Sequence, residues 1–331
     1  MTTQIAIIGL GQIGASFGLA LAEQKENIHR IGFDFDRKRA KRAKKMGAVD
    51  KTAALLKNAV KESNLILLAL PLDQIDEILE IVVPQMRIGA VLMDTAPAKQ
   101  KTAQRVSEML PENCHYVGLT AVINPKYLHT NETGVDAAQA DLFQNMPMAI
   151  SALPSTSTET IELVVGLVHL IGASPLFTGL LEIDGFMTTT DIVPQLIGAV
   201  LLDATVDQPG WQETRKFTGR AYAQASGLVM HSGDASTLTS AVLLNRENVA
   251  RVLGNVIASM QMLRDEISAD DSDAVAEHLN RAREARERWW HKRQATDWSA
   301  DDHPRMDASK RPSLFGNIFG LGRRKSPTSS K

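Results

Sequence analysis

Gly9-Leu10-Gly11-Gln12-Ile13-Gly14, directly behind the apolar run Ile5-Ala6-Ile7-Ile8, decides how this chain reads. A short buried strand delivers the chain to a tight turn, and the turn opens a helix whose N-terminal N–H groups can hold a pyrophosphate. Gly9 permits the turn, Gly11 lets the backbone approach the phosphates, and Gly14 lets the helix pack closely on the strand. Leu10, Gln12 and Ile13 complete this candidate phosphate-binding turn. A bare G-x-G-x-x-G also occurs in ordinary turns, so the surroundings carry the assignment. The helix expected over residues 15–24 is small and apolar on its inner side, with Phe17, Leu19, Ala20 and Leu21. A second apolar strand, over 28–33, ends in Asp34. That is about twenty residues past the last glycine, where a carboxylate can accept hydrogen bonds from both ribose hydroxyls of NAD.

Outward from this unit, strands and helices alternate. Apolar runs at 65–70, 90–94, 115–118, 146–152 and 174–177 are separated by helical patterns at 37–46, 73–83, 100–110 and 157–171. Such alternation predicts a parallel sheet with right-handed crossovers. The run Leu65 to Leu70, closed by Pro71, reads as a strand buried on both faces. Leu70 and Pro71 at its end, and Thr95 behind the next strand, are further candidate cofactor contacts.

From about residue 179 the period changes, and helices are expected over 182–204, 211–225, 237–267 and 273–293. In the third, Val242, Val249, Val252, Val256, Met260, Leu263 and Ile267 form an amphipathic stripe. Such helices suit a separate helical domain that pairs across a two-fold axis. The fold class is therefore α/β: a Rossmann-type doubly wound parallel sheet over 1–178, then an all-helical substrate and dimerisation domain over 179–295. Residues 296–331 are polar and contain Pro and Ser, which predicts a disordered tail. Its island Leu314-Phe315-Gly316-Asn317-Ile318-Phe319, near Arg323-Arg324-Lys325, could dock a partner or a membrane surface, although a mobile tail is the plainer reading.

Composition sets outer limits. A length of 331 residues allows two domains, and a net charge of -2 gives no case for nucleic-acid binding. The single cysteine, Cys114, excludes an intramolecular disulfide and a cysteine-based zinc site and fits a reducing cytoplasm. No Cys/His/Asp cluster has metal-ligand spacing, so no metal is implied. A strand opening within the first residues leaves no room for a secretory signal, and no uninterrupted apolar segment reaches the roughly eighteen residues of a membrane helix. A cytoplasmic protein without an integral membrane segment is expected.

The order of these parts resembles the prephenate/arogenate dehydrogenase family, which oxidises the tyrosine precursor with NAD(P). The fingerprint through Phe17 resembles that family's opening, as do Asp94-Thr95-Ala96-Pro97-Ala98-Lys99 and Asn245-Arg246-Glu247-Asn248-Val249. The resemblance spans about residues 4–290 and implies a nucleotide domain followed by a helical dimerisation domain, with a small carboxylated hydroxy compound as substrate. The family's base is a histidine in a Gly-x-His-Pro segment. Here that segment reads Gly118-Leu119-Thr120-Ala121-Val122, so Thr120 or a neighbour stands in its place. A threonine hydroxyl, unionised at neutral pH, cannot serve unaided. The family's Ser-His-Leu-Pro-His segment falls on Asp191-Ile192-Val193-Pro194-Gln195, a serine expected near the nicotinamide falls on Pro97, and the substrate-carboxylate arginine falls near Arg215 or Lys216.

Three readings stay open: family oxidation with a substituted base, a retuned substrate, or dinucleotide binding without turnover. Asp184, Thr188, Asp191 and Gln195 recur at steps of four, three and four and so share one face of an otherwise apolar helix. A polar stripe there needs partners or water. Facing the nicotinamide, Asp191 becomes the candidate base, with Gln195 and Thr188 orienting a substrate; facing a groove, the stripe is simply solvated. Lys216 is the candidate carboxylate clamp, although it suits a solvated helix face equally well. His129 and Lys126 are loop residues that could reach the cleft mouth, and His115 is expected to be structural. Arg37, heading the basic run 37–42, can bind a 2′-phosphate, whereas Asp34 would repel one. NAD is the favoured cofactor, with NADP as the alternative.

Overall fold

In a computed structural model that describes residues 2–24, 26–130 and 132–296, the run read at 5–8 forms the centre of an eight-stranded sheet. Its strands are β1 (Thr3–Ile8), β2 (Ile28–Phe33), β3 (Lys51–Thr52), β4 (Leu65–Leu68), β5 (Val91–Asp94), β6 (His115–Ala121), β7 (Pro147–Ala152) and β8 (Ser174–Phe177). They lie in the order β3-β2-β1-β4-β5-β6-β7-β8. The reversal of strand order between β1 and β4 opens a crevice at the carboxyl ends of the strands, the usual ligand position in a doubly wound sheet. Register fixes what gathers there. Ile8 pairs with Phe33 and with Leu68, and Leu68 pairs with Asp94, so Gly9, Asp34, Ala69 and Thr95 emerge along one edge. β6 runs past this level, because Gly118 opposes Asp94, and Thr120 therefore stands above the edge on the strand itself.

One expectation about the sheet is corrected. β7 runs antiparallel to β6, with Thr120 opposite Ala149, so the sheet is not wholly parallel. A parallel return needs a crossover helix. The connection from Ala121 to Pro147 holds only the short 3₁₀ turns Pro125–Tyr127 and Gly134–Ala137 among its described residues.

Six helices cover the two faces: α1 (Gln12–Ala20), α2 (Arg37–Met46), α3 (Leu56–Val60), α4 (Ile75–Val82), α5 (Lys99–Met109) and α6 (Thr158–Leu170). One apolar layer joins Phe17 of α1, Ala43 of α2 and Val164 and Val168 of α6 to Ile5, Ile7, Leu65 and Leu67. The other joins α3, α4 and α5 to Ala6, Ile8, Ile66 and Leu68. The strand residues alternate between the layers, as the pleat requires. β3 and α3, of two and five residues, are too short to leave a periodic signal and were not anticipated.

Past β8 only helices follow among the described residues: α7 (Leu180–Met187), α8 (Val193–Val206), α9 (Trp211–Thr214), α10 (Arg220–Gly227), α11 (Ala235–Leu244), α12 (Arg246–Ser268) and α13 (Ser272–Ala295). The helix expected over 182–204 contains a π turn, Thr188–Ile192, between α7 and α8. Pro194 lies two residues beyond it, has no N–H to donate, and crowds the carbonyl four residues back. The helix expected over 211–225 breaks around Thr218-Gly219, and that expected over 237–267 divides at Asn245. Nor are the helices sealed off from the sheet: Ile192, Leu238, Ala241 and Val249 are buried in the same layer as Leu72, Ala96 and Ala98. Taken with its π turn, the stretch Leu180–Val206 is the one described helix long and apolar enough to cross a membrane by length and composition. It carries Glu182, Asp184, Asp191 and Asp203 and buries Ile183, Ile192 and Val193 in the protein, with 28% of its most apolar window buried. The tail readings beyond Thr296 lie outside the described residues.

Candidate active site

The fingerprint turn is shaped by contact. Gly9 has φ +90°, and a Cβ there would lie 2.2 Å from the carbonyl oxygen of Ala69. A Cβ on Gly14 would lie 2.0 Å from the carbonyl oxygen of Gly9, so α1 can approach β1 only without a side chain. Above Gly11 there is nothing within 4 Å. α1 starts immediately after Gly11 with no side-chain cap and no acidic residue in its first turn. Its first N–H groups and its positive dipole end are therefore left for an anion. A dinucleotide pyrophosphate fits this cradle. Leu10 is buried, Ile13 packs on the apolar layer, and the Gln12 side chain reaches the Ala137 carbonyl at 3.4 Å.

Asp34 is buried at the tip of β2. One carboxylate oxygen accepts the Leu10 N–H and the other the Asp36 N–H, both at 2.8 Å. The Arg39 guanidinium lies 3.4 Å from both oxygens. Arg37 is exposed at the start of α2. Leu70 is half-buried, Pro71 is exposed, and Thr95 donates its hydroxyl to Leu68 at 3.4 Å. All three sit at the crevice edge defined by register. Thr120 is nine-tenths buried, and its Oγ1 has no hydrogen-bond partner, a cost of about 1–3 kcal/mol unless something bound supplies one.

The helical wall differs from the sequence expectation. Of the polar stripe, Asp184 accepts from the backbone N–H of Lys99 and Gln100, capping α5. Thr188 donates to the Asp184 carbonyl, as any helical threonine can. Gln195 is 2% exposed; it donates to the Asp191 carbonyl and accepts from the N–H and hydroxyl of Ser232. The structure thus gives Gln195 and Thr188 protein partners where a substrate was expected. Of the two carboxylates in the stripe, that of Asp191 makes no backbone hydrogen bond like Asp184's and lies 3.7 Å from Nε2 of His231. Burial pushes the Asp191 pKa above its ordinary 3.8, and the imidazole opposes that rise. Lys216 is exposed on the 3₁₀ turn Arg215–Phe217, its ammonium 2.7 Å from Glu213. His129 stacks near Trp290 of α13, Lys126 pairs with Asp141, and His115 opens β6.

Behind the edge lies a polar cluster that the sequence did not announce. Lys99 Nζ donates to the Asp94 carboxylate at 2.8 Å and to its carbonyl at 3.0 Å, and the Tyr116 hydroxyl donates to the other Asp94 oxygen at 2.5 Å. All three side chains are buried. Burial lowers the Lys99 pKa against the pull of Asp94, and burial followed by the Asp94 charge raises that of Tyr116 well above 10.0. His231 and Ser232 also escaped the sequence reading. They fall in the connector between two helical patterns, and their only signal was a histidine in a gap.

Residues 17–176 match the model of the prephenate dehydrogenase nucleotide-binding domain. Over those residues the chain carries the nucleotide-binding domain of the prephenate dehydrogenase family. Cyclohexadienyl dehydrogenase of Zymomonas mobilis is 23% identical over 286 residues, covering 85% of this chain and 94% of that relative. Prephenate dehydrogenase of Bacillus subtilis is 22% identical over 294 residues, covering 87% of this chain and 76% of its own. Among solved structures, the A. aeolicus prephenate dehydrogenase in complex with hydroxyphenyl propionate and NAD+ superposes with a TM-score of 0.75 at 17% identity. That likeness covers 87% of this chain and 98% of the other and establishes a common fold, including the helical region. The match to the prephenate dehydrogenase model starts at residue 17, past the glycines. The dinucleotide reading of Gly9 to Gly14 thus stands on its own geometry.

Proposed function

We propose that this chain is an NAD(P)-dependent dehydrogenase that oxidatively decarboxylates prephenate, arogenate or a closely related small carboxylated hydroxy compound, in the manner of its family. The observation that carries the reading is the crevice at the strand ends, with an open phosphate cradle above Gly11 and an unpartnered Thr120 hydroxyl on β6 just above the same edge. Gly9, Leu10, Gly11, Gln12, Ile13 and Gly14 hold the pyrophosphate, Asp34 the adenosine ribose, and Leu70, Pro71 and Thr95 the chain-side edge of the nicotinamide half. When bound, the dinucleotide supplies a hydride acceptor. Thr120 and Asp191 bracket the substrate, and a cation from the Arg215–Lys216 turn serves its carboxylate.

NAD is the proposed cofactor, because the buried Asp34 carboxylate faces the position a 2′-phosphate would take. The protein is proposed to act in the cytoplasm as a homodimer. Ile257, Met260 and Ile267 of α12, at spacings of three and seven, each expose half or more of their surface, an apolar face that pairing would cover.

The test incubates purified protein with prephenate or arogenate and NAD+ or NADP+ while following reduced-nicotinamide absorbance. Turnover with one of these pairs supports the reading. NADH binding without turnover in any combination overturns it and identifies a non-catalytic dinucleotide-binding protein.

A further inference from the structure

The proposed reaction needs a proton acceptor, and Thr120 is not one. The helical wall offers a histidine in a constrained setting. His231 follows the 3₁₀ turn Leu228–Met230 and precedes α11. Ser232 next to it is fastened to Gln195 of α8 by two bonds, of 3.1 Å from its N–H and 2.6 Å from its hydroxyl. Four residues on, α11 packs against the turn Leu72–Gln74 behind β4, and Thr237 donates to Asp73 at 2.9 Å. The segment carrying His231 is therefore pinned at one end to the helix bearing Asp191 and at the other to the crevice edge. At the lower end of that helix, Asp184 is tied to the first residues of α5. Nε2 of His231 lies 3.7 Å from the Asp191 carboxylate, and the imidazole is 69% exposed and so open to a substrate.

Resting on the function proposed above, we propose that His231, oriented by Asp191, is the catalytic base that accepts the substrate hydroxyl proton. Asp191 is then a positioning residue rather than the base. Closing the 3.7 Å gap to a hydrogen bond when substrate is seated, its carboxylate favours the tautomer protonated at Nε2 and stabilises the imidazolium, as a carboxylate behind a catalytic histidine does. The substrate O–H bond breaks, and its proton goes to Nδ1. When bound, the oxidised dinucleotide would accept the hydride from the same carbon as the carbon–oxygen double bond forms. The bond to the ring carboxylate then breaks as carbon dioxide departs, its electron pair aromatises the ring, and the imidazolium returns the proton to the ring oxygen.

The experiment compares wild type, His231→Ala, His231→Gln and Asp191→Asn with the substrate and cofactor pair that wild type turns over. Loss of a positioned base lowers kcat about 10²–10⁴-fold in both His231 variants. KM is expected to stay close to wild type, and added imidazole to restore turnover to His231→Ala but not to His231→Gln. A readout independent of turnover is the ¹⁵N spectrum of labelled histidine. Wild type is expected to show His231 as a single Nε2–H tautomer, and Asp191→Asn a mixture. Either His231 variant keeping kcat within threefold of wild type, or an unchanged tautomer in Asp191→Asn, overturns this inference and leaves the proposed function standing. A wild type inactive with every pair overturns the proposed function, and the base assignment falls with it.

Discussion

The carboxylate of Asp184 accepts the backbone N–H of Lys99 at 2.5 Å, and its other oxygen takes that of Gln100 at 3.0 Å. One side chain of the helical region thus caps the helix that follows β5, and it does so across 85 residues of sequence. Removing it as Asp184→Ala leaves two donors at the start of α5 unpaired, that of Lys99 buried and that of Gln100 partly so, and the expected loss of stability is about 1–3 kcal/mol by chemical denaturation. Burial raises the Asp184 pKa above 3.8, opposed by the Lys99 and Gln100 bonds. The folded form therefore holds this proton more tightly than the unfolded chain, and its ionisation costs stability as pH rises through the window just above that value. Asp184→Asn keeps an accepting oxygen without the charge. It is expected to cost less than Asp184→Ala, and its deficit against wild type is expected to shrink between about pH 4 and pH 7.

Lys99, whose N–H is held by Asp184, sends its own ammonium inward to Asp94, beside the Tyr116 hydroxyl. A charge pair this deeply buried adds little net stability, yet halving it strands a charge. Lys99→Met is expected to lower stability by about 3–5 kcal/mol, and adding Asp94→Asn to recover a good part of that loss. A double-mutant cycle by thermal or urea denaturation reads the coupling. Additive losses would mean that the two side chains do not interact.

Arg30 is a second buried cation, placed at the far side of the fingerprint. It donates to the carbonyls of Gly18 at 2.7 Å and Gly47 at 3.0 Å and forks onto both oxygens of Asp50, at 2.6 and 3.2 Å. It so ties α1, the end of α2 and β2 together behind the cradle. Burial pushes the Asp50 pKa up, but the Arg30 bonds and charge outweigh it and hold it below 3.8. For a lowered carboxylate, stability is present above the unfolded value and lost as pH falls through the folded one. Wild type is therefore expected to keep this contribution down to about pH 4 and to lose it only below, whereas Asp50→Asn is weaker at neutral pH and loses less on acidification. Unfolding midpoints measured from about pH 7 down to pH 3 test it; parallel curves would refute the assignment.

How far the sequence could be read follows from these three clusters. The fingerprint, the alternating strands and Asp34 were legible because each is a local pattern, written within some thirty residues. The antiparallel turn of β7 was not, since it depends on what a connection lacks. Asp184 was visible as one member of a polar stripe, but its partner, the Lys99 N–H, has no side-chain signature at all. Lys99 and Tyr116 carry no periodic signal that marks them as buried. Pro194 stood in plain sight, yet the π turn before it reflects how the helix relieves a clash and not a residue preference. His231 was missed for a related reason. Its setting is made by Gln195 and Asp73, from elements far apart in the chain, and a lone histidine in a loop is usually just exposed.

Cofactor preference is the prediction closest to the fingerprint. Asp34 spends one oxygen on Leu10 and the other on Asp36, and Arg39 sits 3.4 Å from both. With the carboxylate in place, a 2′-phosphate meets a like charge in a partly buried setting, and Arg39 is already engaged. Asp34→Ser removes the repulsion and frees Arg39, with the exposed Arg37 nearby, for a phosphate. Wild type is expected to bind NADH more tightly than NADPH. The variant should move the ratio of their dissociation constants towards NADPH by at least about tenfold, or about 1.4 kcal/mol. Fluorescence titration of both reduced cofactors measures this directly and does not depend on any substrate. A wild type that prefers NADPH would show that Arg37 and Arg39 outweigh the carboxylate, and the NAD assignment would then be abandoned.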